Sequence, residues 1–238
     1  MPPETRLNNT LPLLLHIATT VTGLIDAISY LALGHVFTAN MTGNVVFLAF
    51  AVAGAPGLSI ARSLTALVAF LIGALIGGRL ATRASELVRP NWVTTALTIE
   101  TALLLVATLA AVNFRDSSRS LWQSYLVIVL TAVAMGIRNA TVRKMGIPDF
   151  TTTVLTLTIT GLAADSTLAG GASPRWRRRL LAVVLMFVGA AIGTLLLRRS
   201  LVLPLATATL LSTCCVALSM KQPTHPRSSG SHTPTPVS

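Results

Sequence analysis

Two carboxylates stand inside apolar runs of this chain, and a carboxylate in such a place has chemistry open to it that a surface carboxylate lacks. Asp26 lies in the middle of the run Leu11–Leu33, with Thr19, Thr22 and Ser29 at helical spacing on the same face. A charged side chain at bilayer depth costs about 2.5–3.5 kcal/mol on insertion scales, so it must face other helices and find a partner. Such a group can relay a proton or cation, or bind a substrate. Its bland alternative is a structural carboxylate held by Arg138 or by a helix-end amide. Glu100 lies seven residues into the run that begins at Val93, and the same reasoning applies. Its alternative is to snorkel toward the nearby interface. Arg138, at the end of a third run, and Asn139 beside it are further candidates for binding a substrate or ion.

A second group of candidates is uncharged. Thr38, Asn40, Thr42 and Asn44 open one short apolar segment, and Thr151, Thr152 and Thr153 open another. Their side-chain oxygens suit helix N-caps, and the free N–H groups of a helix start can hold an anion with help from the helix dipole. In secondary transporters, paired short or Gly-broken segments in corresponding positions of two halves mark the substrate site. The competing explanation is that a Thr in a membrane helix bonds back to the carbonyl four residues earlier or to a neighbouring helix.

Other chemistries find no support. The chain has no phosphate loop, no His-Glu-x-x-His and no Ser or Cys nucleophile with a placed His, so an enzyme is not expected. Cys214 and Cys215 are adjacent in an apolar run and read as packing residues, and His225 and His232 have no metal spacing around them. Neither a metal nor an organic cofactor is expected.

What must position these residues is a membrane. Hydrophobic residues make up 53% of the chain and charged residues 11%, well under the quarter or so that a soluble surface needs. Six runs are long enough to cross a bilayer: about Leu11–Leu33, Ile60–Gly78, Val93–Val112, Leu121–Arg138, Leu180–Leu197 and Leu201–Met220. The first is longer than a signal-peptide core and carries Asp26, so it reads as a retained span. Two shorter runs, Thr38–Ala53 and Thr151–Ala164, are broken by Gly43 and Gly161. The net charge of +11 is spread in clusters between apolar runs, which suits an anionic membrane surface and not nucleic acid. Residues 1–10 form a terminal segment, 11–220 one membrane domain, and 221–238 a polar tail whose composition predicts disorder.

The chain also repeats itself. Gly23, Asp26, Ala27, Phe37 and Thr38 recur 113 positions later as Gly136, Asn139, Ala140, Phe150 and Thr151. Gly73-Ala-Leu-Ile-Gly77 recurs 116 positions later as Gly189-Ala-Ala-Ile-Gly193. Two halves, about 11–112 and 121–220, follow. Their Gly-x-x-x-Gly pairs are packing signals. If all eight apolar runs cross, the halves are parallel and the Lys and Arg residues divide ten to eight. If the two short runs only dip into the bilayer, the halves are inverted and thirteen of the eighteen cations share one side. That asymmetry is what the positive-inside rule expects. The predicted fold is therefore all-α: a polytopic transmembrane bundle of six spans plus two short half-helices, built as two inverted repeats. Both termini would lie in the cytoplasm.

Two segments carry a resemblance. One runs Gly23-Leu-Ile-Asp26 through Asn40-Met41-Thr42-Gly43-Asn44, and the other Gly136-Ile-Arg138-Asn139-Ala-Thr-Val-Arg143 through Thr151-Thr-Thr153. Together they resemble the YoaK family of bacterial multi-pass membrane proteins, a domain of unknown function, over most of residues 10–220. Arg138 stands where a Gln is the commoner residue. The resemblance implies a bacterial plasma-membrane protein and supplies no reaction. The functional expectation is a small secondary transporter or permease-like protein for a small polar or anionic solute, coupled to protons through Asp26 or Glu100. Its partners would be the lipid bilayer, the solute and protons. The alternative is a membrane scaffold or assembly factor without transport.

Overall fold

A computed structural model describes residues 3–86, 92–112, 120–146, 155–172 and 176–221. Among these every regular element is a helix, as lipid requires of a chain that must satisfy each backbone group internally. Six are long and apolar enough to cross a membrane: α1 (Pro3–Ala32), α3 (Ile60–Glu86), α4 (Trp92–Val112), α5 (Ser120–Lys144), α7 (Trp176–Leu197) and α8 (Val202–Met220). Two are short, α2 (Met41–Val52) and α6 (Leu155–Ala164), and a 3-10 turn at Thr167–Ala169 follows α6. The protein is a polytopic helix bundle. The expected tail lies outside the described residues, except Lys221.

The helices outrun the hydropathy bounds at one end. α3 continues beyond Gly78 through Arg79 and Arg83, α5 beyond Arg138 to Lys144, and α7 begins at Trp176, before its apolar core. Lys and Arg are good helix formers, so a helix continues through them where an apolar stretch stops.

Packing fixes the direction of each helix. Leu14 and Leu15 of α1, Leu97 of α4, Val142 of α5 and Cys215 of α8 form one buried cluster. The starts of α1 and α4 therefore lie level with the ends of α5 and α8, and α5 runs antiparallel to α1. Since α1 and α4 start at the same end, the chain returns only once between them. α3 makes that crossing, so α2 does not. At about 1.5 Å per residue, the 12 residues of α2 span about 18 Å, short of a hydrocarbon core of about 30 Å. α6, with 10 residues, is excluded from crossing by the same argument, because α5 and α8 end together.

The interior has two levels of packing. α1, α4, α5 and α8 enclose the main core, with Val21, Leu24, Ile25 and Ile28 of α1 against Leu104 of α4, Ile128 and Met135 of α5 and Leu205 of α8. α7 lies against α1 and α3 against α5, both through glycines. A Cβ at Gly23 would collide with the carbonyl of Met186 and come within 2.8 Å of the Ala190 amide; one at Gly136 would collide with Phe70 and come within 2.8 Å of Ala74. Gly189 faces the Thr20 backbone and Gly193 that of Leu24, while Gly73 faces Val133 and Gly77 faces Ile137. Every partner in one helix pair becomes its counterpart in the other on adding the sequence offsets of 113 and 116.

Candidate functional site

The chain leaves α1 at Ala32 and does not go straight into a second crossing. Gly34 and His35 take positive φ, 94° and 58°, and this turn sends residues 36–40 back beside α1. Val36, Thr38 and Ala39 are buried, so this is non-helical backbone inside the bundle, tolerated only where protein satisfies it. Asp26 satisfies part of it. Its Oδ1 accepts the Ala39 N–H at 3.2 Å, and its Oδ2 accepts a hydrogen bond from the Asn40 side chain. α2 then starts at Met41, level with Asp26, and runs back toward the end where α3 begins. Asn44 secures the turn before the helix, accepting the Phe37 N–H at 2.8 Å and donating to the Phe37 carbonyl. Tyr30, Phe37 and Phe47 stack over it, with centroids 5.3 Å and 5.6 Å apart along the series.

Asp26 is thus held by the segment that opens the half-helix and not by Arg138, the other partner its position allowed. No cationic side chain among the described residues pairs with it. Thr38 is fully buried, and its hydroxyl has no hydrogen-bond partner. Thr42 points outward from α2 and is exposed. The face expected beside Asp26 is buried as well, but its hydroxyls donate to backbone carbonyls along α1: Thr19 to that of Leu15 at 2.9 Å, Thr22 to that of Ala18 at 3.0 Å and Ser29 to that of Asp26 at 3.2 Å.

Glu100 and Arg138 make a second cluster, nearer the basic end. Glu100 is completely buried; it does not snorkel. Arg138 grips it with two nitrogens: Nε donates to Oε2 at 2.9 Å, and Nη2 to Oε1. Nη1 donates to the Ala18 carbonyl at 2.8 Å and toward Thr22 Oγ1 at 3.4 Å. Ser212 donates to Glu100 Oε1 at 2.7 Å and lies 2.9 Å from the Thr101 hydroxyl. A forked guanidinium–carboxylate contact is among the strongest that side chains make. Here it ties α1, α4, α5 and α8 together. Beside it is a cavity of about 10 Å³, lined by Leu14, Ala18, Leu97, Glu100, Arg138 and Thr141 among others, room for about one water. The arrangement is electrically neutral, its one carboxylate matched by one guanidinium. Ser212 was not singled out from sequence: one Ser in an apolar helix gives no signal of which face it occupies.

The second half shows less. Asn139, the counterpart of Asp26, donates to the Met135 carbonyl of its own helix at 2.8 Å. Thr151, Thr152 and Thr153 lie outside the described residues. The far end of α6 is pinned by Arg179 of α7, whose Nη1 donates to the Gly161 carbonyl at 2.8 Å and to Asp165 at 2.5 Å. Among the described residues, no group of three His, Cys, Asp or Glu is placed to hold a metal.

No solved structure matches the chain. The UPF0700 transmembrane protein YoaK of Bacillus subtilis (strain 168) is 35% identical to it over 191 residues, covering 76% of this chain and 82% of that protein. The model of the family described as a protein of unknown function (DUF1275) matches residues 14–218, a stretch that takes in both polar clusters and nearly all of the six candidate spans. The chain belongs to that family of membrane proteins.

Proposed function

We propose that this protein is a small permease-like secondary transporter for a small polar or anionic solute, with Asp26 as the group that carries the coupling proton. The observation that supports it most is the α1–α2 junction. Non-helical backbone descends into the bundle, a half-helix starts there, and a buried carboxylate without a cationic partner closes on it. Half-helix starts of this kind line the central sites of transporters built from inverted halves. The matching glycine contacts at offsets of 113 and 116 support an inverted duplication. In this reading the protein sits in the plasma membrane with its basic end and both termini in the cytoplasm, as the positive-inside rule directs.

A scaffold or assembly factor is the second reading, and one observation favours it. Both Asp26 oxygens are already occupied by donors of the descending segment, which a purely structural cap would also show. The two readings differ in whether water reaches Asp26. In a variant whose Cys214 and Cys215 are replaced by Ser and Ala, Asn40→Cys should react with a membrane-impermeant thiol reagent from at least one side. Val21→Cys, in the sealed core, should stay unlabelled. If Asn40→Cys is as inert as Val21→Cys from both sides, the transporter reading is lost and the scaffold reading stands.

A further inference from the structure

A groove of about 450 Å³ opens between α3 and α5 at the basic end of the bundle. Arg79, Arg83 and Lys144 line it, together with Thr82, and all four are exposed. Among the described residues no acidic side chain lines it, and none pairs with these cations. The groove continues toward the bundle's middle along α3, where its walls become Gly78, Ala74 and Leu75. A Cβ at Gly78 would meet nothing within 4 Å, so the floor is open there. Beyond it Leu71 and Leu75, one helical turn apart, are exposed at 59% and 58%. The groove is therefore cationic at the membrane surface and apolar below it.

We infer that this groove binds one anionic phospholipid, its phosphodiester headgroup held by Arg79, Arg83 and Lys144 and an acyl chain lying along Gly78, Ala74 and Leu75. Basic pockets between helices at a membrane surface recognise anionic headgroups. The polarity gradient selects lipid over free phosphate, because an inorganic anion has no use for the apolar half. Three cations with no acidic partner among the described residues favour a headgroup with more than one phosphate, so cardiolipin should bind more tightly than phosphatidylglycerol, and phosphatidylcholine least. The depth of the groove matches the helix directions: α3 and α5 both end here, which brings their cations level.

The test uses the full chain in detergent micelles, titrated separately with cardiolipin, phosphatidylglycerol, phosphatidylcholine and sodium phosphate, with the bound fraction read by native mass spectrometry. Cardiolipin should bind as one molecule per chain. Arg79→Gln/Arg83→Gln/Lys144→Gln should weaken it about a hundredfold, following from about 1 kcal/mol for each cation near a membrane surface. Arg198→Gln/Arg199→Gln, at the opposite end, should leave it unchanged. Gly78→Trp keeps every charge, fills the floor and should weaken binding at least about tenfold, about 1.4 kcal/mol. Equal loss in the Arg198/Arg199 variant, full binding to Gly78→Trp, or displacement of cardiolipin by phosphate would each overturn the inference.

Discussion

The two buried carboxylates answer to different neighbours, and substitution should separate them. Glu100 and Arg138 neutralise each other with every close partner engaged. Removing either one strands a charge in the bundle, which costs about 3–5 kcal/mol. Glu100→Gln and Arg138→Met should therefore each lower the unfolding temperature of the detergent-solubilised protein sharply, and Glu100→Leu/Arg138→Met should recover more than half of that loss. Asp26 caps backbone instead. Asp26→Asn keeps an acceptor for the Ala39 N–H and should cost about 1 kcal/mol or less, leaving insertion intact while abolishing the proton-coupled transport proposed above. An Asp26→Asn protein as unstable as Glu100→Gln would show that the carboxylate is a structural cap. From sequence, the link between Asp26 and the Asn40 segment was within reach, because both fall in one conspicuous block. The pairing of Glu100 with Arg138 was not. They are 38 residues apart on different helices, and apolar runs carry no information on which faces meet.

Elements are held by backbone approach more than by side-chain bulk. The α1–α7 and α3–α5 pairs meet glycine to backbone, where any side chain would force the helices apart. Gly-x-x-x-Gly spacing made Gly73/Gly77 and Gly189/Gly193 legible as packing positions. The partners were not, since Thr20, Val133, Leu24 and Ile137 contribute carbonyls, which every residue has. That α2 and α6 are short was legible from polarity and glycine breaks, but Thr38 and Asn40 precede the helix instead of opening it, because the chain descends as non-helical backbone to Asp26 before it coils. Overpacking an interface costs about 1–3 kcal/mol, occasionally more. Gly73→Leu and Gly189→Leu should therefore each lower thermal stability substantially. Gly78→Leu, on the same helix as Gly73 but facing open space, should be neutral or slightly stabilising through helix propensity. Comparable loss at Gly78 would mean that helix propensity or insertion, not the α3–α5 contact, governs the effect.

At the scale of the whole molecule, six spans could be read from hydropathy because the bilayer imposes one length on every crossing, and the excess of cations on one side hinted at the directions. What hydropathy could not settle was whether the short runs cross, since helices of such length can span a locally thinned bilayer. The packing decides it through levels: α1 and α4 start beside the ends of α5 and α8, which eight crossings cannot produce. Single cysteines in a background without Cys214 and Cys215 test this in the membrane. His35 follows α1, Ala53 follows α2 and Arg143 is near the end of α5, and all three are exposed. With six crossings, α2 dips and returns, so His35→Cys and Ala53→Cys label from one side and Arg143→Cys from the other. With eight, α2 crosses, Ala53→Cys moves to the side opposite His35→Cys, and Arg143→Cys joins His35→Cys. The positive-inside rule adds the sense: Arg143→Cys should label only when the cytoplasmic face is open, as in inverted vesicles. Labelling of Ala53→Cys and His35→Cys from opposite sides would remove the half-helix, and with it the reason to place a solute site at Asp26.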